Sequence, residues 1–229
     1  MEKSTTTKPK LGILGGLGVQ VTNRFCKMIT EMQTVEKEQD YLDMLVYYKP
    51  SVSDRTAFLL GESEDSPLEY LIDGLKTLED AGCTCIALPC TTSHYFYDKL
   101  QASVNVPLLN IVDETVNFIL SNEYRDVGLL ATTGTLTGGF FAKALKDNGI
   151  YIVIHDAEKQ ALLMEIVYNV KHGNFADIKA FKEIISNLKI LDCEAVILGC
   201  TELSLFADDD KYYIDSLRLL AKAALEKCK

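Results

Sequence analysis

One short passage occurs twice in this chain. Cys83–Thr92 reads C-T-C-I-A-L-P-C-T-T, and Cys193–Glu202 reads C-E-A-V-I-L-G-C-T-E, 110 residues further on. Each is an apolar run that ends in Pro or Gly, then Cys, then Thr. A second correspondence lies upstream of each. Leu11–Gly18 reads L-G-I-L-G-G-L-G, and Val127–Gly134 reads V-G-L-L-A-T-T-G, at an offset of 116. Two matches in the same order point to two related halves, each carrying buried strands that break into small-residue loops.

Between these runs, helix and strand patterns alternate. Strands are predicted at 11–15, 42–48, 85–89, 106–111, 127–131, 150–154 and 194–198. Helices are predicted over about 19–35, 68–82, from 93, after Asp113, and over about 138–148, 158–172 and 175–189. Ser66-Pro67 is a helix-start signal and Gly82 a stop. Continuous apolar strands alternating with helices mean parallel sheets covered on both faces. The predicted fold is α/β, with two pseudo-symmetric lobes and the active site between them. Each lobe is a mainly parallel sheet of about four strands flanked by helices. Residues 1–9 read as a disordered lead-in, 10–115 plus 208–229 as the first lobe, and 116–207 as the second. The segment 215–228 carries Leu217, Leu220, Ala221, Ala224 and Leu225 on one face, and this amphipathic helix is expected to return to the first lobe.

Composition excludes several functions. The net charge of −10 disfavours nucleic acid and anionic membrane surfaces. No apolar run reaches the ~18 residues of a membrane span. An acidic chain that binds an acidic small molecule must supply positive charge locally. There are seven cysteines, an odd number, with no secretion signal ahead of them, so reduced thiols in a cytoplasm are expected. No C-x-x-C pair exists and the three histidines are scattered, which argues against a metal site. The glycines at 12, 15, 16 and 18 fit no dinucleotide-loop phase, and neither G-K-[ST] nor G-x-S-x-G occurs. The loop around Gly16 reads instead as a tight turn that brings backbone close to a small ligand.

The chemistry concentrates at the repeat. In parallel sheets, ligands bind beyond the carboxyl ends of strands. Cys90 and Cys200 both sit there, each opening a strand-to-helix turn whose free N–H groups attract anions and lower a thiol pKa. Hydroxyls adjoin them: Thr91, Thr92 and Ser93 in one turn, Thr201 in the other. If the lobes face each other, so do the two thiols. That geometry suits a cofactor-independent racemase, in which one thiolate removes a Cα proton and the opposite thiol returns one. Cys26, Cys83, Cys85, Cys193 and Cys228 are read as structural.

A series of motifs then resembles the aspartate/glutamate racemase superfamily, and within it the aspartate racemase branch. They are G-G-L-G at 15–18 with Thr22, S-D-R-T at 53–56, P-C-T-T-S-H at 89–94 and L-A-T-T-G-T at 130–135. V-K-H-G at 170–173, G-C-T-E-L at 199–203 and I-D-S at 214–216 complete the order. His94 and Glu202 favour the aspartate branch over the cell-wall glutamate branch. The resemblance implies Cys90 and Cys200 as the acid/base pair. It implies Arg55 as a bidentate carboxylate fork and Lys171 as a point charge for the substrate's carboxylates. Thr132 and Thr135 would hold the α-carboxylate, while Glu202 and His94 either tune the thiols or cap helices. It further implies no metal and no pyridoxal phosphate, a small amino acid substrate, and a homodimer. Thr91 stands where the family has Asn, Val19 where it has Pro and Leu17 where it has Met. These departures bear on substrate identity. Aspartate is the expected substrate. Glutamate or another amino acid, a hydantoin or maleate, or binding of an acidic ligand without turnover are the rivals.

Overall fold

The computed structural model describes residues 9–175, 178–208 and 210–228. The expected lead-in lies almost wholly outside them. The first lobe is built on strands β1 (Lys10–Gly15), β2 (Asp43–Tyr48) and β3 (Cys85–Ala87), which form a parallel sheet in the order β2-β1-β3. The second holds β4 (Asp126–Leu130), β5 (Tyr151–Val153), β6 (Ala195–Leu198) and β7 (Tyr213–Asp215), all parallel, in the order β5-β4-β6-β7. The repeated runs thus supply equivalent strands: β1 and β4 at the centre, β3 and β6 beside them.

The helices follow the alternation. In the first half they are α1 (Val19–Glu31), α2 (Arg55–Leu59), α3 (Leu68–Asp80), α4 (Tyr97–Gln101) and α5 (Ile111–Ser121). In the second they are α6 (Thr133–Gly138), α7 (Phe140–Asp147), α8 (Ala157–Lys171), α9 (Ile178–Ile190) and α10 (Ser216–Lys227). The repeated Cys-Thr pair after each of β3 and β6 opens a 3-10 turn, Thr91–Phe96 in one lobe and Thr201–Leu205 in the other.

Three expectations need correction. The strand expected at 106–111 is only a single parallel bridge, Ile86 to Leu108, so the first sheet has three strands. Pro107 can accept from Ile86 N–H, at 2.9 Å, but has no N–H of its own to extend the ladder. Asn110 then caps α5 by accepting from Val112 and Asp113 N–H, which turns the chain into a helix at Ile111. The helix expected over about 138–148 is α7, and the sequence reading missed the short helix ahead of it, α6, which meets α7 at Gly139. Tyr213–Asp215, assigned from sequence to the first lobe, forms the edge strand of the second sheet.

The lobes share a core. One apolar cluster takes Leu11, Ile13 and Phe25 from the first half and Leu129, Phe141 and Ile197 from the second. Separate outer clusters lie under α3 and α4 and under α8 and α9. The helix α10 buries Leu217, Leu220, Ala221 and Ala224 and packs against α1, α5 and β3. The two sheets are therefore fastened together behind the strand ends, and the space in front of those ends is where a ligand can lie.

Candidate active site

A buried cavity lies at the carboxyl ends of both central strand pairs. It is lined by Arg55 and Thr56 at the start of α2, Cys90, Thr91 and Thr92 after β3, and Thr132 at the start of α6. Lys171 at the end of α8 and Cys200, Thr201 and Glu202 after β6 complete it. Its free volume is about 10 Å³, close to what one water molecule requires. Cys90 and Cys200 are 6% and 3% exposed, and each is the extended residue that opens its 3-10 turn.

Contacts between the lobes close this cavity. Thr92 Oγ1 lies 3.0 Å from both Thr132 Oγ1 and Thr135 Oγ1, and those two are 3.0 Å apart. Thr132 also caps α6, accepting from Thr135 N–H at 3.1 Å. Thr201 Oγ1 donates to Pro89 O across the cleft at 3.3 Å. Gly134 lies against α2 so closely that a Cβ there would sit 2.8 Å from Thr56 Cα.

The charges are arranged around the thiols. Asp54 caps α2, its Oδ1 accepting from Thr56 N–H at 2.7 Å and Ala57 N–H at 3.1 Å. Its Oδ2 meets Lys171 Nζ from the other lobe at 3.9 Å. Burial would raise the Asp54 pKa, but the charge of Lys171, the two N–H groups and the charge of Arg55 together hold it low. Burial works against the Lys171 ammonium, and Glu202, Asp54 and Cys200 more than compensate, holding its pKa up. Arg55 is 8% exposed and donates from Nη1 to Val52 O at 3.2 Å and Ser53 O at 2.9 Å. Its Nε is buried with no partner, as is Thr91 Oγ1. Unpartnered buried donors beside a cavity are where an anionic ligand gains most.

The Cys200 thiol donates to Glu202 Oε2 at 3.1 Å. Its pKa is raised well above the ordinary value, first by burial, then by the charge and the hydrogen bond of Glu202. Lys171 and the Glu202 N–H pull the other way. The turn N–H effect expected from sequence is present, but it is outweighed. Glu202 engages the thiol rather than capping its turn. His94 instead holds the backbone: its Nδ1 lies 3.0 Å from Cys90 O, and Ile111 N–H donates to Nε2 at 3.3 Å. Burial pushes its pKa down, against the two carbonyls it touches, so the ring is neutral.

Three residues proposed from sequence do not line the cavity. His94 and Thr135 stand behind it. Gly16 has φ 90°, and a Cβ there would meet Lys49 N at 2.6 Å, so its own conformation and the packing of the Lys49–Pro50 backbone demand glycine. Asp54 and Thr56 were not singled out. The Asp-Arg-Thr helix start was readable as a cap, but the pairing of Asp54 with Lys171, remote in sequence, was not.

Two facing parallel α/β sheets, with a thiol from equivalent turns of each in one buried cavity, define a duplicated two-lobe protein class. The chain belongs to the Asp/Glu/Hydantoin racemase family, whose profile matches residues 14–224. It is 28% identical over 224 residues to the broad specificity amino-acid racemase RacX of Bacillus subtilis, covering 94% of this chain and 96% of that one. The aspartate racemase of Picrophilus torridus superposes with a TM-score of 0.84 at 29% identity, covering 96% of this chain and 94% of that one. An aspartate racemase homologue from Pyrococcus horikoshii OT3 gives 0.76 at 29% identity, covering 96% and 98%. The family supports an isomerase, an amino acid racemase. No helix among the described residues is long and apolar enough to cross a membrane.

Proposed function

We propose that the chain racemises aspartate without a cofactor, using Cys90 and Cys200 as a two-base pair. The observation that carries this reading is that both thiols line one buried cavity with Arg55 and Lys171. In one direction a Cys90 thiolate removes the Cα proton, and the C–H electron pair passes to the carbanion delocalised into the α-carboxylate. Cys200, resting as a thiol, delivers its proton to the opposite face. The thiolate left on Cys200 is then stabilised by Lys171 and by the Glu202 N–H. For the other enantiomer the roles reverse, and Glu202 is placed to accept the Cys200 proton. The threonine hydroxyls at 92 and 132, with Thr91 and Thr201, surround the α-carboxylate, and Thr135 behind them holds the first two in place. The free Nε edge of Arg55 takes the second carboxylate. A cavity with room for one water must open to admit an amino acid, so the cross-lobe contacts part and re-form in each cycle.

A broader substrate range is the second reading. Lys171 is already matched by Asp54 and Glu202, which leaves Arg55 as the cation a side-chain carboxylate can claim. The name of the Bacillus subtilis relative accords with that range.

The test is Cα deuteration of each enantiomer in D₂O, across a panel of amino acids, for the wild type and for Cys90→Ser and Cys200→Ser. Each mutant should lose inversion yet exchange one enantiomer, and the two mutants should prefer opposite ones. A mutant that racemises at the wild-type rate removes that cysteine from the mechanism. No exchange by the wild type with any substrate would make the chain a binder.

A further inference from the structure

Helix α8 lays one stripe of side chains along the site: Gln160, Met164, Tyr168 and Lys171, spaced so that they share a face. The first two grip the turn between β4 and α6. Gln160 Nε2 donates to Ala131 O at 3.0 Å and to Thr133 Oγ1 at 3.3 Å, and Thr133 N–H donates to Met164 Sδ at 3.2 Å. The last two lie at the carboxyl end of the helix, where a cation is favoured. Lys171 lines the cavity, and its Nζ sits over the ring of Tyr168, 4.7 Å from the ring centre. Tyr168 is half-buried. Burial and the charge of Asp54 raise its pKa, so the ring is a neutral phenol whose face attracts the ammonium.

The other groups that act on this ammonium are Glu202, Asp54, Arg55 and Cys200. Asp54, 3.9 Å away, and Arg55 belong to the first lobe, so their distances to Lys171 change whenever the cavity opens. Glu202 is already engaged, accepting from the Cys200 thiol at 3.1 Å and from Thr201 Oγ1 at 3.4 Å. Tyr168 alone among these neighbours shares a helix with Lys171, and its contact persists whether the lobes are together or apart. Lys171 and Cys200 both stand in the wall of a cavity with room for about one water, so the ammonium is close to the thiol. A lysine is a point charge on a flexible stem, and its effect on a thiolate falls as soon as the stem swings away.

We propose that Tyr168 is a positioning residue, whose ring holds the Lys171 ammonium in the cavity beside Cys200 through opening and closing. It touches neither the substrate nor the reacting atoms. Its action passes through Lys171 to the thiolate that forms on Cys200, and the face of the ring, not its hydroxyl, does the holding. In the catalytic cycle this assignment rests on the two-thiol reading above. The placement of the ammonium beside Cys200 does not, and it is measured without turnover.

The reduced full-length protein is labelled with iodoacetamide at one mildly alkaline pH, in the initial linear phase, and the Cys200 and Cys90 peptides are quantified by mass spectrometry. The thiolate is the reacting form, so the ratio of Cys200 to Cys90 labelling follows the ammonium, while a general loosening of the cavity raises both rates together. In Tyr168→Leu this ratio should fall roughly 2- to 30-fold, the range of a cation–π contact at 1.36 kcal/mol per decade. Tyr168→Phe should keep the wild-type ratio. In a Lys171→Met background, Tyr168→Leu should lower it no further. Tyr168→Met is a second flexible replacement should the leucine variant not fold. A wild-type ratio in Tyr168→Leu, an equal loss in Tyr168→Phe, or an additional loss in the Lys171→Met background overturns the proposal. With aspartate in a Cys90→Ser background, Tyr168→Leu should lower kcat for Cα deuteration and leave KM unchanged, and a raised KM with kcat intact would place the ring in substrate binding instead. If the wild type exchanges no substrate, the racemase reading fails, and the labelling ratio still decides the role of Tyr168.

Discussion

Arg55→Lys isolates what the guanidinium adds to a charge. In the folded protein Nη1 is occupied by Val52 O and Ser53 O, while Nε is buried and free. A lysine ammonium at this position keeps the charge but cannot serve the backbone and a ligand at once. The loss for a dicarboxylate is one charge-assisted hydrogen bond, worth about 1.5–3 kcal/mol, plus part of the attraction between the charges in a water-poor site. The sum, roughly 2–4 kcal/mol, corresponds to about a 30- to 900-fold drop in kcat/KM at 1.36 kcal/mol per decade. The assay is Cα deuteration of L-aspartate and L-alanine side by side, with thermal unfolding to follow the Val52–Ser53 loop. The ratio of kcat/KM for aspartate to that for alanine should fall by the full factor. An equal fall for both substrates would refute the assignment. Arg55 would then bind the α-carboxylate or act only by holding its loop.

Three further outcomes are expected. Glu202→Gln removes the negative charge that raises the Cys200 pKa, while its amide oxygen can still accept from the thiol and Lys171 stays in place, so Cys200 should ionise at lower pH. Thiolate ultraviolet absorbance in a Cys90→Ser background measures this, and an unchanged titration would exclude the contact. Gly134→Ala drives a methyl into Thr56 and should hold the lobes slightly apart, at the ~1–3 kcal/mol of an overpacked contact. KM should rise by roughly tenfold, and an unaltered KM would mean that closure at this point is not needed. His94 is kept neutral by burial, so the unfolded chain takes up the proton that the folded one refuses. That contribution to stability is complete above the ordinary pKa of 6.5 and is lost as pH falls below it. Melting temperature should therefore drop between neutral pH and about pH 5, and His94→Gln should flatten part of that drop. His155, also held down by burial, would account for a remainder.

Much of the architecture was legible because it rests on local pattern. Apolar runs of strand length, helix stripes such as Leu217, Leu220, Ala221 and Ala224, and the recurrence of Cys-Thr after a strand all lie within short windows. The duplication then made β1 and β4, and β3 and β6, equivalent before any coordinates were known, and it put Cys90 and Cys200 at equivalent strand ends. Pro107 and Asn110 show where such reading stops. The run at 106–111 has the composition of a strand, but a missing N–H and a well-placed helix cap leave it a single bridge.

What only the tertiary structure decided is which groups meet. Asp54 and Lys171 belong to different lobes, as do Thr92 and Thr135, and a distance of 3–4 Å between such residues is a product of packing, not of spacing along the chain. The state of Cys200 is the clearest case. Its place at the start of a turn argued for a lowered pKa, and the turn N–H does pull that way. Burial and a carboxylate 3.1 Å away override it. Local backbone geometry can be read from sequence because a few neighbouring residues set it. Desolvation and charge depend on everything the fold brings within a few ångströms, so the residues of the site were legible while their protonation, their partners and the closed cavity they share were not.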